Sequence, residues 1–265
     1  MEADLHYLRL IRTYYRLSIL NELQYRANLV MQVFSSLVQL GIGLAGIGLV
    51  FYNTDSLGGW QPAELLVVLG VYTLIAGVAR SFIQPNMYEL MEGIYDGKLD
   101  YTLTKPEDSQ LLVSITRFQP WRLVDVIVGL VVIGIALNRL EGTVGAAQGL
   151  VFAILLMCGA IIIYCFWISI TTLTFWVIRM WEVFEMFEAA YQAGRWPVGI
   201  YPRWLQLGLT FIVPVAFAVT VPAQALTDRL TVPILVLALF VTVLALGASR
   251  WFWFRGLKDY SGATA

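Results

Sequence analysis

Apolar residues gather into long runs separated by short polar stretches. Five runs, near 27–52, 62–84, 119–138, 146–172 and 231–253, reach the roughly 20 residues of helix that cross a hydrocarbon core about 30 Å thick. Ahead of them, Leu5, Leu8, Ile11, Tyr15 and Ile19 recur at helical spacing over 3–24, with Arg9, Arg12 and Arg16 between them. That pattern predicts a helix lying in the membrane surface. The same arginines break the apolar core that a cleavable leader needs, so the first span is expected to serve as its own insertion signal.

The stretch 179–226 is mixed and allows two readings. In one, 180–203 is a surface helix and 204–226 the fifth span. In the other, 179–198 is the fifth span and 200–226 is a re-entrant hairpin on the outer side. Either way the count of six transmembrane helices is even. Lys and Arg collect before the first run, after the second (Arg80, Lys98, Lys105, Arg117, Arg122) and at the end (Arg250, Arg255, Lys258), whereas the loop after the third run holds only Arg139. The positive-inside rule then places both termini and the long connection in the cytoplasm. The first reading leaves two of the 17 basic residues outside and the second leaves four, so charge favours the first. Pro197, Pro202, Pro214 and Pro222 favour the second, because a straight span would be broken repeatedly. Broken backbone at membrane depth is tolerated where protein covers it.

The connection after the second run has a pattern of its own. Met87, Leu90, Met91 and Ile94 fall at i, i+3, i+4 and i+7, with Glu89, Glu92 and Asp96 on the other side. This predicts a short amphipathic helix at 86–96, capped by Gly97. Leu99 to Leu103 reads as extended chain, ended by Lys105-Pro106. Such a helix either rests on lipid headgroups or docks on a soluble partner, for which its methionines would give an adaptable surface.

Composition agrees with lipid as the solvent: 59% of the 265 residues are hydrophobic and 13% charged, against about 45–50% and about 25% in soluble domains. A net charge of -1 gives no ground for a nucleic-acid partner. Cys158 and Cys165, seven residues apart on one helix, lie about 10 Å apart and out of disulfide reach. His6 is the sole histidine, so neither a metal centre nor a Ser/His/Asp arrangement is expected. Gly41-Ile-Gly43-Leu-Ala-Gly46 matches a dinucleotide fingerprint by letter, but inside an apolar run it reads as close helix packing, with Gly41, Ala45 and Gly48 on one face. Gly93 to Lys98 resembles a phosphate loop but is one residue short, with Leu99 where a magnesium-binding hydroxyl belongs. The chain is therefore not expected to be an enzyme, nor to hold a cofactor.

Polar residues inside apolar runs are functional candidates, because lipid penalises them. Gln32 and Gln39 share a face of the first span. Arg122 and Asp125, one turn apart, suggest a local ion pair at the start of the third. Glu182, Glu185 and Glu188 occupy one side of a helix, with Phe184, Phe187 and Tyr191 opposite.

The order of elements resembles the permease subunit of an ABC-2-type ATP-binding-cassette exporter. Gly93 through Pro106, GIYDGKLDYTLTKP, is similar to the loop of a bacterial subfamily reading roughly G-x-L-D-x-x-L-x-K-P. Arg195 to Leu205, RWPVGIYPRWL, is similar to that family's passage from the fifth span into an outer re-entrant hairpin, and Tyr260-Ser261-Gly262 fits its closing segment. The resemblance covers essentially the whole chain and implies one transmembrane permease domain, 1–265, in the plasma (inner) membrane. It makes 86–96 a coupling helix, with Met87, Glu89, Leu90, Met91, Glu92, Ile94, Asp96 and Gly97 meeting a cytoplasmic ATP-binding-cassette ATPase. That ATPase would hold the ATP and Mg. A second permease subunit, identical or homologous, would pair through spans one and five. Gln32, Gln39, Glu185 and Glu188 would line the substrate path, and their charge would suit a cationic or polar substrate. The competing reading is a self-contained membrane channel or solute transporter, which leaves the amphipathic loop without a purpose.

Overall fold

The computed structural model describes residues 2–22, 26–140, 144–177 and 180–260, with side chains from Arg9 onward except at 21, 22 and 26. The side chains of Leu5, His6 and Leu8, together with Arg179, Ser261 and Gly262, lie outside that description. Among the described residues every regular element is helical, apart from one bridge between Leu57 and Trp60. Five helices among the described residues are long and apolar enough to cross a membrane, or six if one bent pair counts as a span. The chain is a multi-pass helical membrane protein.

The first elements are α1 (Glu2–Glu22), α2 (Arg26–Phe51) and α3 (Pro62–Val78). At the start of α3 Pro62 occupies the first turn, and Gln61 N–H donates to Glu64 Oε2 at 2.7 Å, so the terminus is capped from within. α3 does not stop at the predicted edge of the second run. A π-helical turn, Ala79–Ile83, carries it into α4 (Gln84–Tyr95), making one 34-residue helix from Pro62 to Tyr95. It ends at Gly97, whose φ of 70° is the left-handed conformation glycine adopts freely. Lys98 N–H donates to Gly93 O at 2.8 Å and Gly97 N–H to Ile94 O at 3.3 Å, the paired bonds of a Schellman stop.

Residues 99–103, expected to be extended, instead form α5 (Leu99–Leu103). The reversal at Gly97 returns the chain to helical backbone at once, and Leu99 is buried. α6 (Ser109–Ile115) begins at Asp108, whose Oδ1 accepts from Leu111 N–H at 3.0 Å. A 3₁₀ turn, Pro120–Arg122, leads into α7 (Leu123–Leu137), and α8 spans Ala146–Thr172. After α9 (Trp181–Tyr191) come 3₁₀ turns at Gln192–Arg195 and Val198–Ile200. α10 (Arg203–Leu207) and α11 (Val221–Leu226) follow, each joined to a π turn, and α12 spans Val232–Asp259. The segments 203–212 and 216–226 meet at 82° across Val213-Pro214-Val215.

α3 is the centre of the bundle, with Leu65, Val67, Val68, Val71 and Ile75 buried on all sides. Its approach to α7 is set by glycine: a methyl group on Gly129 would lie 2.6 Å from Leu74 N, and one on Gly77 would lie 2.7 Å from Val126 N. The close packing expected at Gly41, Ala45 and Gly48 is not found among the described residues of this chain. Gly41 and Gly48 have no neighbour within 4 Å, because α2 turns Gly43 toward Leu69 and Gly46 toward Trp196 instead. α2 and α12 expose Phe34, Ile42, Phe240 and Val243, as helices bathed by lipid or a second membrane subunit do.

The segment 181–200 runs the length of the α3 rod. Trp181 stacks on Tyr88 of α4 at 5.7 Å, while Ile200 lies against Gly58 in the α2–α3 turn. At that same end Arg229 binds Glu64 through Nε at 2.7 Å and Nη2 at 2.8 Å, and its guanidinium sits 4.8 Å over the Trp60 ring. Ala218 packs on Gly159, halfway along α8.

Candidate functional site

Two groups of polar side chains stand out from the apolar bundle. The first surrounds α4. Its apolar face does not await a partner: Met87, Leu90 and Met91 are buried in the chain's own core and Ile94 packs against it. The expected methionine surface is thus internal, because α4 continues a central helix and inherits its packed side. Asn86, 1% exposed, joins α4 to the chain after α6. Its Nδ2 donates to Phe82 O at 2.6 Å and Arg117 O at 2.8 Å, and its Oδ1 accepts from Thr116 Oγ1 at 3.0 Å and Arg117 N–H at 2.7 Å. All four bonding positions of the amide are filled.

Glu89 is held by Arg117 Nε at 3.0 Å and Thr116 Oγ1 at 2.9 Å. Glu92 and Asp96 are exposed, and Lys98 Nζ donates to Asp96 Oδ2 at 2.6 Å. Gly97 serves as the hinge between α4 and α5. Between these elements lies a cavity of about 470 Å³ lined by Glu89, Glu92, Asp96, Tyr101, Thr116 and Arg117. Tyr95 and Tyr101, 74% and 77% exposed, present rings outward beside those carboxylates. Neither tyrosine stood out in the sequence, because neither belongs to an apolar periodicity. Nearby, Asp108 takes a two-pronged ion pair from Arg250, with Nη1 to Oδ1 at 2.8 Å. That pairing, aided by Leu111 N–H and opposed by burial, holds the Asp108 carboxyl below the usual range.

The second group lies within the bundle around Arg80, which the charge count assigns to the cytoplasmic connection. The π turn carries it inward instead, leaving its side chain 16% exposed. Arg80 Nη2 donates to Glu188 Oε1 at 3.0 Å, Nη1 reaches Gln39 Oε1 at 3.5 Å, and Asp125 Oδ2 lies 3.9 Å away. Gln84 donates to the other Glu188 oxygen at 2.5 Å. Asp125, 4% exposed, accepts from Gln32 Nε2 at 3.1 Å and from Ser36 Oγ. Arg122 donates to Gln32 Oε1 at 2.7 Å, so the expected Arg122–Asp125 pair is joined through Gln32 rather than directly. Three of the four proposed path residues, Gln32, Gln39 and Glu188, therefore meet in one network, while Glu185 is exposed and outside it. The sequence did carry a signal for Arg80: an arginine within the 62–84 run.

Among the described residues no group of His, Cys, Asp and Glu is placed to hold a metal, and both cysteines are free and buried. The bundle of long apolar helices defines the chain as a multi-pass membrane protein. Residues 37–264 match the family model for ABC-2 family transporter proteins, and the chain belongs to that family. Its members are permeases of ATP-binding-cassette transporters, associated in the membrane with an ATP-binding-cassette ATPase. No curated protein and no solved structure matches the chain.

Proposed function

We propose that this chain is the membrane subunit of an exporter, paired with a second permease subunit and driven by separate cytoplasmic ATPases that grip α4. The observation that carries this reading is the unbroken helix Pro62–Tyr95. It passes from the packed centre of the bundle to an outward face of Glu92, Tyr95 and Asp96. Asn86 fixes that end to the chain leaving α6, so force applied to α4 reaches the spans without being lost in a flexible loop. ATP acts by binding the closed ATPase pair preferentially, and the docked spans shift with it.

In this reading the termini and α4 are cytoplasmic. The segment 181–200 is the fifth crossing, supported by its contacts with Tyr88 at one end and Gly58 at the other. The segments 203–212 and 216–226 dip in from the outer face and return, supported by the Ala218–Gly159 contact at half depth and by Gln148 Nε2 reaching Asp228 Oδ1 at 3.4 Å. The exposed stripe of Gly41, Ala45 and Gly48 then faces lipid or the second permease.

Co-expression with the ATPase of an adjacent reading frame tests the assignment. The two proteins should co-elute, and the permease should raise ATP hydrolysis. Tyr95→Ala with Glu92→Lys should abolish that stimulation at unchanged thermal stability. Solute flux through the pure chain in ATP-free liposomes would overturn the reading in favour of a channel.

A further inference from the structure

Beside the Arg80 network is a small polar cavity between α2, α3, α7 and the segment after α9. Arg80, Arg195, Asp125, Tyr72, Ser36 and Gln39 contribute to its lining. Two guanidiniums and one carboxylate line it; Arg80 is paired with Glu188 beside the cavity, and Asp125 is already engaged by Gln32 and Ser36. Arg195 has no carboxylate within 4.0 Å among the described residues; its guanidinium lies 5.5 Å from the centre of the Tyr72 ring. Tyr72 and Tyr191 stack at 5.3 Å. They are 4% and 8% exposed, yet neither hydroxyl has a hydrogen-bond partner among the described residues.

A buried hydroxyl without a partner is unfavourable, and native proteins rarely keep two side by side without a use. Both tyrosines lie within electrostatic reach of Arg80. O–H donors and guanidinium N–H groups share one complement, an oxygen acceptor carrying negative charge. The glutamates that suggested a cationic substrate do not compete: Glu188 is ion-paired with Arg80 and accepts a hydrogen bond from Gln84, Glu185 is exposed, and Arg195 remains the guanidinium that supplies the uncompensated positive charge.

We propose that Arg80, Arg195 and Tyr72, the last backed by the stacked Tyr191, form a subsite for an oxyanion, a phosphate or carboxylate group, borne by the transported molecule. Only the bearer's identity as cargo rests on the permease reading; the anion chemistry stands on the side chains. The free volume of about 20 Å³ holds roughly one water. An oxyanion is larger than one water, so admitting it requires the segment bearing Arg195 to move away from α3, where Gly194 is packed closely against Val215 and Tyr72.

The test uses the full chain purified in a neutral maltoside detergent, with thermal melting followed against added dodecyl phosphate, inorganic phosphate or dodecyltrimethylammonium. Dodecyl phosphate should raise the melting temperature and the ammonium amphiphile should not. Tyr72→Phe should fold as the parent does and bind dodecyl phosphate roughly tenfold more weakly. Arg195→Gln should weaken it likewise, and Arg195→Lys should restore part of the effect. A shift with inorganic phosphate alone supports the same site, filled by a soluble anion. Equal shifts from both amphiphiles, or variants that bind as the parent does, overturn the proposal. ATPase docking is not read in this assay, so its failure would leave the result intact.

Discussion

An isolated guanidinium in a low-dielectric bundle costs several kcal/mol, so Arg80 persists only because Glu188, Gln39 and Asp125 surround it. Glu188 and Glu185 of α9 should therefore behave differently. Glu188→Gln should lower stability by about 1–3 kcal/mol by leaving Arg80 half-paired, while Glu185→Gln should leave the melting temperature unchanged; thermal unfolding of each variant reads both. Asn86→Ala should cost about 1–3 kcal/mol, since it removes the side-chain partner of the part-buried Arg117 N–H and Arg117 O and unties α4 from the chain after α6. The spacing of Gln32, Gln39 and the α9 glutamates was legible from the sequence. Their partner was not, because a helical wheel gives the face of a residue but not which helix opposes it, and Asn86 looks like any polar residue at the start of an amphipathic turn.

At the scale of elements, the apolar runs located the helices well where hydrophobic length alone decides, as at Ala146–Thr172. They failed where tertiary packing decides. Leu99–Leu103 is helical because Gly97 reverses the chain and Leu99 has a buried place to go, neither of which local propensity encodes. The glycines that matter for packing are Gly70, Gly77 and Gly129 between α3 and α7, not the more conspicuous series in α2. Gly129→Ala should cost about 1–3 kcal/mol by overpacking against the Leu74 backbone, whereas Gly41→Ala should be neutral in the isolated chain; paired melting curves check this. The Asp108–Arg250 clasp has a definite pH signature. Because the folded carboxyl titrates below the ordinary value of about 3.9, its contribution is complete above that value and is lost as pH falls through the lower folded one. Emission of the buried Trp253, whose Nε1 donates to Ser109 Oγ at 3.2 Å, should change in that acid window, and Asp108→Asn should remove the step.

For the whole molecule, membrane class and helix-only architecture could be read from hydrophobic run lengths, while the layout of 179–226 could not, since charge and proline pulled toward different topologies. The contacts of Ile200 and Trp181 with opposite ends of the central rod favour a crossing at 181–200. Single cysteines at Tyr95 and Ile200, in a background with Cys158 and Cys165 replaced, should react with an impermeant maleimide from opposite sides of the membrane. Labelling of both from one side would refute the layout.

The joined helix Pro62–Tyr95 is about 50 Å long, well beyond the roughly 30 Å of a hydrocarbon core. Arg80 is bolted to neighbouring helices slightly past the middle, leaving arms of about 27 Å and 22 Å on either side. Under the proposed coupling through α4, the rod would act as a seesaw about that point. A rocking of about 10° imposed at Tyr95 would swing the Pro62 tip, where Glu64 clasps Arg229, by about 4–5 Å the opposite way, more than a salt bridge can span. A push delivered on one face of the membrane would thereby unfasten a bolt on the other.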